Sequence, residues 1–333
     1  MGGTDMIPNQ WYVVLESREV RKGQPVGVIR MGEKMVFWRR KDGKVVCMSD
    51  RCPHLGASLS GGKVADDHLA CPFHAFEFDS TGACRYIPAL GRNGVPPKAM
   101  RVKSYPTYEA HGFIWIYWGE PQGSLTPPKF FDIDETFSYA GYRQMWNVHY
   151  SRMVENQLDV MHLPHVHTDT IGRGKRVVVD GPLVKVEDGV LKVWVFNRKD
   201  DGNPPRRADD LVMPDRPPFL EFIFPNLWQN RISPDFRIVV AFVPVDEEHG
   251  MFYLRQYQRF VRVPVLREIV NWFGVLASHH IAEQDRRVVN TQLPKKSSLR
   301  GEDKPIQCDN AVLTYRRVRE ELIEKARNPE NQA

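Results

Sequence analysis

Cys52-Pro53-His54-Leu55-Gly56 and, after His54 and sixteen intervening residues, Cys71-Pro72-Phe73-His74 form the stretch that decides the fold. Each loop offers one thiolate and one imidazole. Thiolates suit iron–sulfur clusters or zinc and imidazoles suit iron or zinc, so four such ligands imply a metal. Zinc fingers take a tetrahedral Cys2His2 site, but they pair two cysteines first and two histidines later. Cys then His in each loop suits instead a [2Fe–2S] cluster with both cysteines on one iron and both histidines on the other. Exchanging two thiolates for imidazoles removes negative charge and raises the potential to roughly −150 to +300 mV, against about −400 mV for all-Cys plant-type clusters. A structural zinc is the competing reading.

Outward from these loops the chain reads as short strands. Trp11 to Leu15, Val26 to Ile29 and Met35 to Trp38 are β-rich and separated by Gly-containing turns, and Phe113 to Trp118 adds another apolar, aromatic run. Gly119-Glu120-Pro121-Gln122-Gly123, followed by Pro127-Pro128, reads as a boundary. The expectation is an all-β domain over 1–120 and a second domain over 121–333. A chain of 333 residues, 42% hydrophobic and 26% charged, has room for two such cores. In the second part Met145 to Met161 has helical character, and strand-like runs lie at 177–179, 190–196, 219–224, 238–243 and 251–257. Residues 199–218, rich in Asp, Arg and Pro, read as an exposed loop. A helix is expected over 311–325. Strands followed by a long helix make the second domain α+β.

Beyond Cys52 and Cys71, Cys47, Cys84 and Cys308 form no regular framework, so the cysteines point to free thiols in a reducing, cytoplasmic setting. The N-terminus shows no basic region followed by an apolar run, and no window approaches eighteen apolar residues, so neither a signal peptide nor a membrane span is expected. The net charge of +5 is spread along the chain without a nucleic-acid motif, so no nucleic acid is expected. A mildly basic surface suits an acidic electron donor.

A second metal-ligating stretch runs Glu155-Asn156-Gln157-Leu158-Asp159-Val160-Met161-His162-Leu163-Pro164-His165-Val166-His167. On a helix Asp159 and His162 share a face. Pro164 pushes Leu163 out of the helical region and ends the helix, freeing His167 to turn back towards His162. Two imidazoles and one carboxylate with open positions make the facial triad of non-heme Fe(II) oxygenases. Spacing alone leaves His165 open as an alternative to His167. The carboxylate is sought further on. Leu266, Val270, Phe273, Ala277 and Ile281 step by threes and fours, the spacing of a buried helix face, and Asp285 falls on that face. A carboxylate there needs a metal or an arginine such as Arg286 or Arg287. Phe222, Phe242, Leu276 and His280, with Trp194, Phe196 and Phe224, are candidate pocket walls, and core packing is the competing reading for each.

Taken together, the sequence resembles the Rieske non-heme iron oxygenases, in particular oxygenase components with a single type of subunit. The resemblance covers nearly the whole chain in the right order, through Cys52, His54, Cys71 and His74, then Asn156, Asp159, His162 and His167, then Ala282-Glu283-Gln284-Asp285. It implies an N-terminal all-β Rieske [2Fe–2S] domain and a C-terminal α+β catalytic domain, an antiparallel sheet with a long helix of the helix-grip, START-like kind. It implies a mononuclear Fe(II) held by His162, His167 and Asp285, with Asn156 orienting the site. It further implies a homotrimer, in which Asp159 bridges His162 to a cluster histidine, His54 or His74, of the neighbouring subunit. The implied partners are a reductase or ferredoxin, O2 and a small organic, ring-containing substrate. Hydroxylation or oxidative demethylation is the expected activity. Cis-dihydroxylation of an aromatic ring is one alternative, and a Rieske electron-transfer protein with a ligand-binding domain is another. Two departures stand out: the family commonly has Gly-Trp where this chain has Ala75-Phe76, and often an apolar residue where His165 stands.

Overall fold

A computed structural model describes residues 6–121 and 123–327. The chain divides into two compact units, Met1–Pro128 and Lys129–Ala333. The first is all β. Its eleven strands are β1 (Gln10–Glu16), β2 (Val26–Arg30), β3 (Glu33–Arg39), β4 (Val45–Ser49), β5 (Lys63–Ala65), β6 (His68–Ala70), β7 (Glu77–Phe78), β8 (Cys84–Tyr86), β9 (Ser104–Tyr105), β10 (Thr107–Ala110) and β11 (Phe113–Trp118). They form antiparallel sheets in the orders β1-β11-β10, β2-β3-β4-β9 and β5-β6-β7-β8. The last is a small platform whose β6–β7 connection carries the second ligand loop, and the first loop follows β4.

The second unit is built on one seven-stranded antiparallel sheet. Its strands are β12 (Ser138–Trp146), β13 (Val178–Glu187), β14 (Val190–Arg198), β15 (Leu220–Ile223), β16 (Leu227–Ser233), β17 (Phe236–Pro244) and β18 (Gly250–Gln258), in the order β12-β18-β17-β16-β15-β14-β13. Among the described residues four α-helices accompany it: α1 (Tyr150–Leu158), α2 (Leu163–Val166), α3 (Pro264–Val289) and α4 (Asn310–Arg327). The expected architecture of an all-β unit followed by an α+β unit is therefore present. Two local expectations change. Met145 belongs to strand β12, and the helix begins only at Tyr150. The strand β16, not anticipated, sits in the middle of the sheet.

Period-2 alternation sorts the side chains of β16. Trp228, Asn230 and Ile232 line a cavity on one face. Gln229 and Arg231 turn the other way to Glu221 of β15, and Arg231 also pairs with Asp132 at 2.7 Å.

The long helix α3 corrects the expected buried stripe. Leu266 is 50% exposed and Phe273 60%, and Ala277 is exposed too, whereas the buried residues are Asn271, Ser278, Ala282, Asp285 and Val289. The helix presents small and polar residues to the sheet because it lies close to it. A Cβ at Gly274 would run into the Gln256 side chain, which also donates to Ser278 Oγ at 2.5 Å. Gln258 reaches Asn271 at 3.2 Å, and the Tyr142 hydroxyl reaches the Ser278 carbonyl at 3.2 Å. Large side chains have no room in such a contact and are turned outwards.

Candidate functional site

The two cysteine–histidine loops are built alike. Cys52 N–H donates to Ala57 O (2.8 Å) and Gly56 N–H to Cys52 O (2.9 Å); Cys71 N–H donates to Phe76 O (2.8 Å) and Ala75 N–H to Cys71 O (3.0 Å). Each turn passes through a left-handed residue, Gly56 at φ +79° and Ala75 at φ +55°. Cys52 and Cys71 are buried against a core that includes Trp38, Met48, Leu59, Leu69 and Phe78, while His54 and His74 are exposed. The two imidazole rings lie 4.8 Å apart, and Phe76 stacks on His54 at 4.7 Å. Burial pushes the Cys52 thiol up to about 11, and the adjacent Cys71 thiol adds to the effect. A metal ion binds such a group as thiolate by displacing the proton. Soft donors inside and imidazoles outside match a [2Fe–2S] cluster with one buried and one outward iron.

Ala75 carries a cost here. A left-handed conformation costs an L-residue roughly 1–2 kcal/mol, partly offset because glycine loses about 0.5–1 kcal/mol more on ordering. Ala75→Gly is expected to stabilise the cluster-bearing unit by about 0.5–1 kcal/mol. The midpoint of cluster bleaching in a denaturant titration measures it, and an unchanged midpoint would show that the turn is unstrained.

The second site gathers residues from three elements. Helix α1 stops at Leu158, where Asp159 leaves the helical region with φ −69° and ψ 126°. Pro164 was expected to end this helix; it stands instead in the first turn of α2, where its fixed φ and missing N–H are tolerated. Leu163 is itself helical, and His167 follows the end of α2, its N–H bonded to Leu163 O at 3.1 Å. Asp285 arrives from α3, one of its Oδ atoms 3.0 Å from His167 Nε2 and 3.4 Å from His162 Nε2. One donor atom from each of the three lies within 4.8 Å of the others.

Asp285 Oδ1 and His162 Nδ1 are buried without a hydrogen-bond partner. Burial works against the charged His167 ring, but the Asp285 carboxylate outweighs it and raises the pKa above the ordinary imidazole value. A divalent cation would satisfy the orphaned carboxylate oxygen and replace that proton, so the residues fit a two-histidine, one-carboxylate metal site.

The remaining expected residues fall as follows. His165 is exposed and outside this group. Arg286 does not pair with Asp285; it turns to Glu283 at 2.8 Å. Asp159 Oδ2 lies 3.4 Å from His162 Nδ1, and Asp159 Oδ1 accepts the Met161 N–H at 2.7 Å. Asn156 is half-buried on α1, away from the three ligating groups, beside an outer pocket of about 280 Å³ that Asp159 also lines.

A cavity of about 150 Å³ opens in front of His162, His167 and Asp285, walled by Trp228, Phe252, Leu254 and Ile281 among others. It shares Leu163, Ile171, Val195, Asn197 and Phe219 with a wider mouth of about 560 Å³. The expected pocket walls are corrected. Phe222 and Phe242 are fully buried and pack with Phe224 towards Tyr315 of α4, away from the cavity. Leu276 and His280 are exposed on α3, Trp194 is buried outside the lining, and of these candidates Phe196 alone borders the mouth. Trp228, Asn230, Ile232 and Phe252 were missed, and the alternation along 228–232 was the signal that could have found the first three.

An all-β unit with paired Cys-His loops, followed by a helix-and-sheet unit with a two-histidine, one-carboxylate group, defines a Rieske iron protein with a second metal site. Residues 10–106 match the Rieske [2Fe-2S] domain family, and residues 146–325, more than half of the chain, match the vanillate O-demethylase oxygenase C-terminal domain family. The chain therefore belongs to the Rieske non-heme iron oxygenases of the vanillate O-demethylase kind, whose cofactors are a [2Fe–2S] cluster and a mononuclear iron.

Among curated relatives it is 37% identical over 166 residues to cholesterol 7-desaturase of Drosophila melanogaster, covering 48% of this chain and 38% of the relative. It is 30% identical over 212 residues to the oxygenase component of dicamba O-demethylase of Stenotrophomonas maltophilia, covering 60% and 62%. The chain thus spans less than two thirds of the length of these relatives. Among solved structures, the QL mutant of NdmA of Pseudomonas putida CBB5 with theobromine superposes with a TM-score of 0.77 at 20% identity, covering 96% of this chain and 92% of that one. Dicamba monooxygenase bound to dicamba gives 0.70 at 21%, covering 97% and 99%. At these identities the structural likeness shows the fold. Among the described residues, no helix is long and apolar enough to cross a membrane.

Proposed function

We propose that the protein is the terminal component of an oxygenase system that hydroxylates or oxidatively demethylates a small, ring-containing organic substrate. The observation that carries this reading is the group of His162, His167 and Asp285 at the end of a largely apolar cavity, in a chain that also bears the Cys-His loops. Cys52, His54, Cys71 and His74 hold the cluster; His162, His167 and Asp285 hold the iron. When bound, these groups supply single electrons and the activation of dioxygen. The chain's own residues do the rest. Leu254, Phe252 and Trp228 hold an apolar ring and exclude water from the reacting end. Asp159 orients His162, and Asn156 shapes the outer approach to it.

The reading includes a homotrimer in which a neighbour's exposed His54 or His74 comes to Asp159. The outer pocket beside Asp159 supports it, and so do the exposed apolar residues of α3, surface that assembly would cover. It also includes a reductase or ferredoxin donor and a cytoplasmic location, which suits five free cysteines. The relatives named for dicamba and for cholesterol bracket the substrate as ring-containing.

Three experiments test the assignment. Three irons per chain, two from the cluster and one mononuclear, are expected, and two would reduce the protein to an electron carrier. With a surrogate reductase and NADH, a panel of methoxy, N-methyl and aromatic compounds should yield an oxygenated or demethylated product; failure across the panel with full iron occupancy counts against it. His167→Ala is expected to lose the mononuclear iron while His165→Ala keeps it, and the reverse pattern would reassign the ligand.

A further inference from the structure

We propose that Asp169, acting through Gln284, dictates which ring nitrogen of His167 carries a proton and so aims the Nε2 lone pair into the metal site. This rests on reading His162, His167 and Asp285 as an iron site. Gln284 stands on α3 immediately before Asp285, and its carboxamide reaches the segment that follows α2. The two ends of a carboxamide have the same shape, so its partners must decide its orientation. Asp169 decides it. An ionised carboxylate only accepts, and Asp169 Oδ1 lies 2.7 Å from the Gln284 Nε2 that must therefore carry the hydrogens.

The amide oxygen is thereby turned to His167, 2.8 Å from Nδ1, and the Thr170 hydroxyl donates to the same oxygen at 3.2 Å. A ring nitrogen facing an amide oxygen must be the protonated one. Nδ1–H donates and keeps its proton, so Nε2, 3.0 Å from Asp285, is the nitrogen that offers its lone pair once a metal displaces the proton there. His162 is held differently, its Nδ1 beside the Asp159 carboxylate at 3.4 Å. One imidazole of the site is thus set by a charge and the other by a neutral amide whose polarity is fixed one step further out. Gln284 and Asp169 are positioning residues; neither lies in the ligating group.

Removing a partner of a ligating histidine costs about 10–100-fold in metal affinity. Anaerobic equilibrium dialysis of the full-length protein against Fe(II), with the visible spectrum of the cluster as internal control, reads the effect. Gln284→Leu is expected to weaken mononuclear iron binding by about 10–100-fold with the cluster spectrum and melting temperature unchanged. Asp169→Leu, which frees the amide to turn over, is expected to weaken it by about 3–10-fold. The exchange Asp169→Asn with Gln284→Glu restores both bonds, because Asn now donates and Glu accepts from His167, and is expected to recover affinity to within about 3-fold of wild type. Gln284→Leu binding within two-fold of wild type overturns the relay. A loss of affinity that tracks a loss of cluster or of melting temperature also overturns it, since the role is then structural. Wild-type protein that takes up no Fe(II) at this site instead overturns the iron-site reading beneath it.

Discussion

Asp159→Asn leaves the cluster colour and iron content at wild-type levels and slows product formation by about 10–100-fold or more. Asparagine keeps the shape of the side chain and an oxygen for the Met161 N–H, which Asp159 Oδ1 now accepts at 2.7 Å, so the turn after α1 survives. What disappears is the negative charge 3.4 Å from His162 Nδ1. A carboxylate there fixes the tautomer of His162 and raises its basicity, and on the proposed assembly it also receives a neighbour's cluster histidine. Asp159 stands where both tasks meet, lining the cavity in front of His162, His167 and Asp285 on one side and the outer pocket on the other. The distance to His162 is long for a hydrogen bond, as catalytic contacts often are before their complex assembles. Iron by elemental analysis, the visible spectrum and product per unit time measure the outcome. Turnover within two-fold of wild type at equal iron content would remove Asp159 from the path between the two sites.

How much of this was legible in the sequence depends on how locally each feature is encoded. The cluster loops were readable because each Cys and His sits within two or three residues of its partner, so the motif survives without the fold. His162 and His167 were readable for the same reason, although the local mechanism differed. Pro164 opens a second short helix where it was expected to close the first. Asp285 is buried as expected, but the apolar stripe that pointed to it is not, since Leu266, Phe273 and Ala277 face solvent. Asn271, Ser278 and Ala282 make the contact instead, because a helix packed this closely on β18 admits small side chains and turns large ones away. The pocket walls were the least legible. Phe222 and Phe242 have the composition of a ring-binding wall, yet Phe242 packs on Phe222 and Phe222 on Tyr315 of α4, the latter a contact across more than ninety residues of intervening chain. Trp228, Asn230 and Ile232 lie on a strand whose cavity face is interrupted by the polar Asn230, which leaves the alternation along 228–232 legible but weak.

Arg316→Leu is expected to destabilise the second unit by about 3 kcal/mol, because it strips the buried Glu155 carboxylate of two of its three arginine hydrogen bonds and leaves only Arg152 to balance it. Glu155 of α1 accepts from Arg316 of α4 at 2.6 and 3.0 Å and from Arg152 at 3.0 Å, and Asp303 accepts from the same two arginines at 2.7 and 3.1 Å. Glu155, Arg152 and Arg316 are nearly inaccessible, with side chains 5–8% exposed, so water cannot replace a lost partner. At about 2–4 °C per kcal/mol for a unit of this size, the thermal midpoint should fall by on the order of 10 °C, followed by circular dichroism.

Replacing both Glu155 and Arg316 by leucine removes the stranded charge together with its partner and is expected to recover more than half of the loss. The network also sets a pH dependence. Burial works against the Asp303 carboxylate, but Arg152 and Arg316 overcome it and hold the group below its ordinary value. Its contribution is therefore complete above the usual carboxylate range and drains away as the pH falls through the depressed folded value. Arg316→Leu should flatten that acid limb as well as lower the midpoint. A single-variant loss under 1 kcal/mol with an unchanged acid limb would mean that the network is solvated, and that α1, with Asn156 at its outer edge and Asp159 just past its end, is held in place by apolar packing alone.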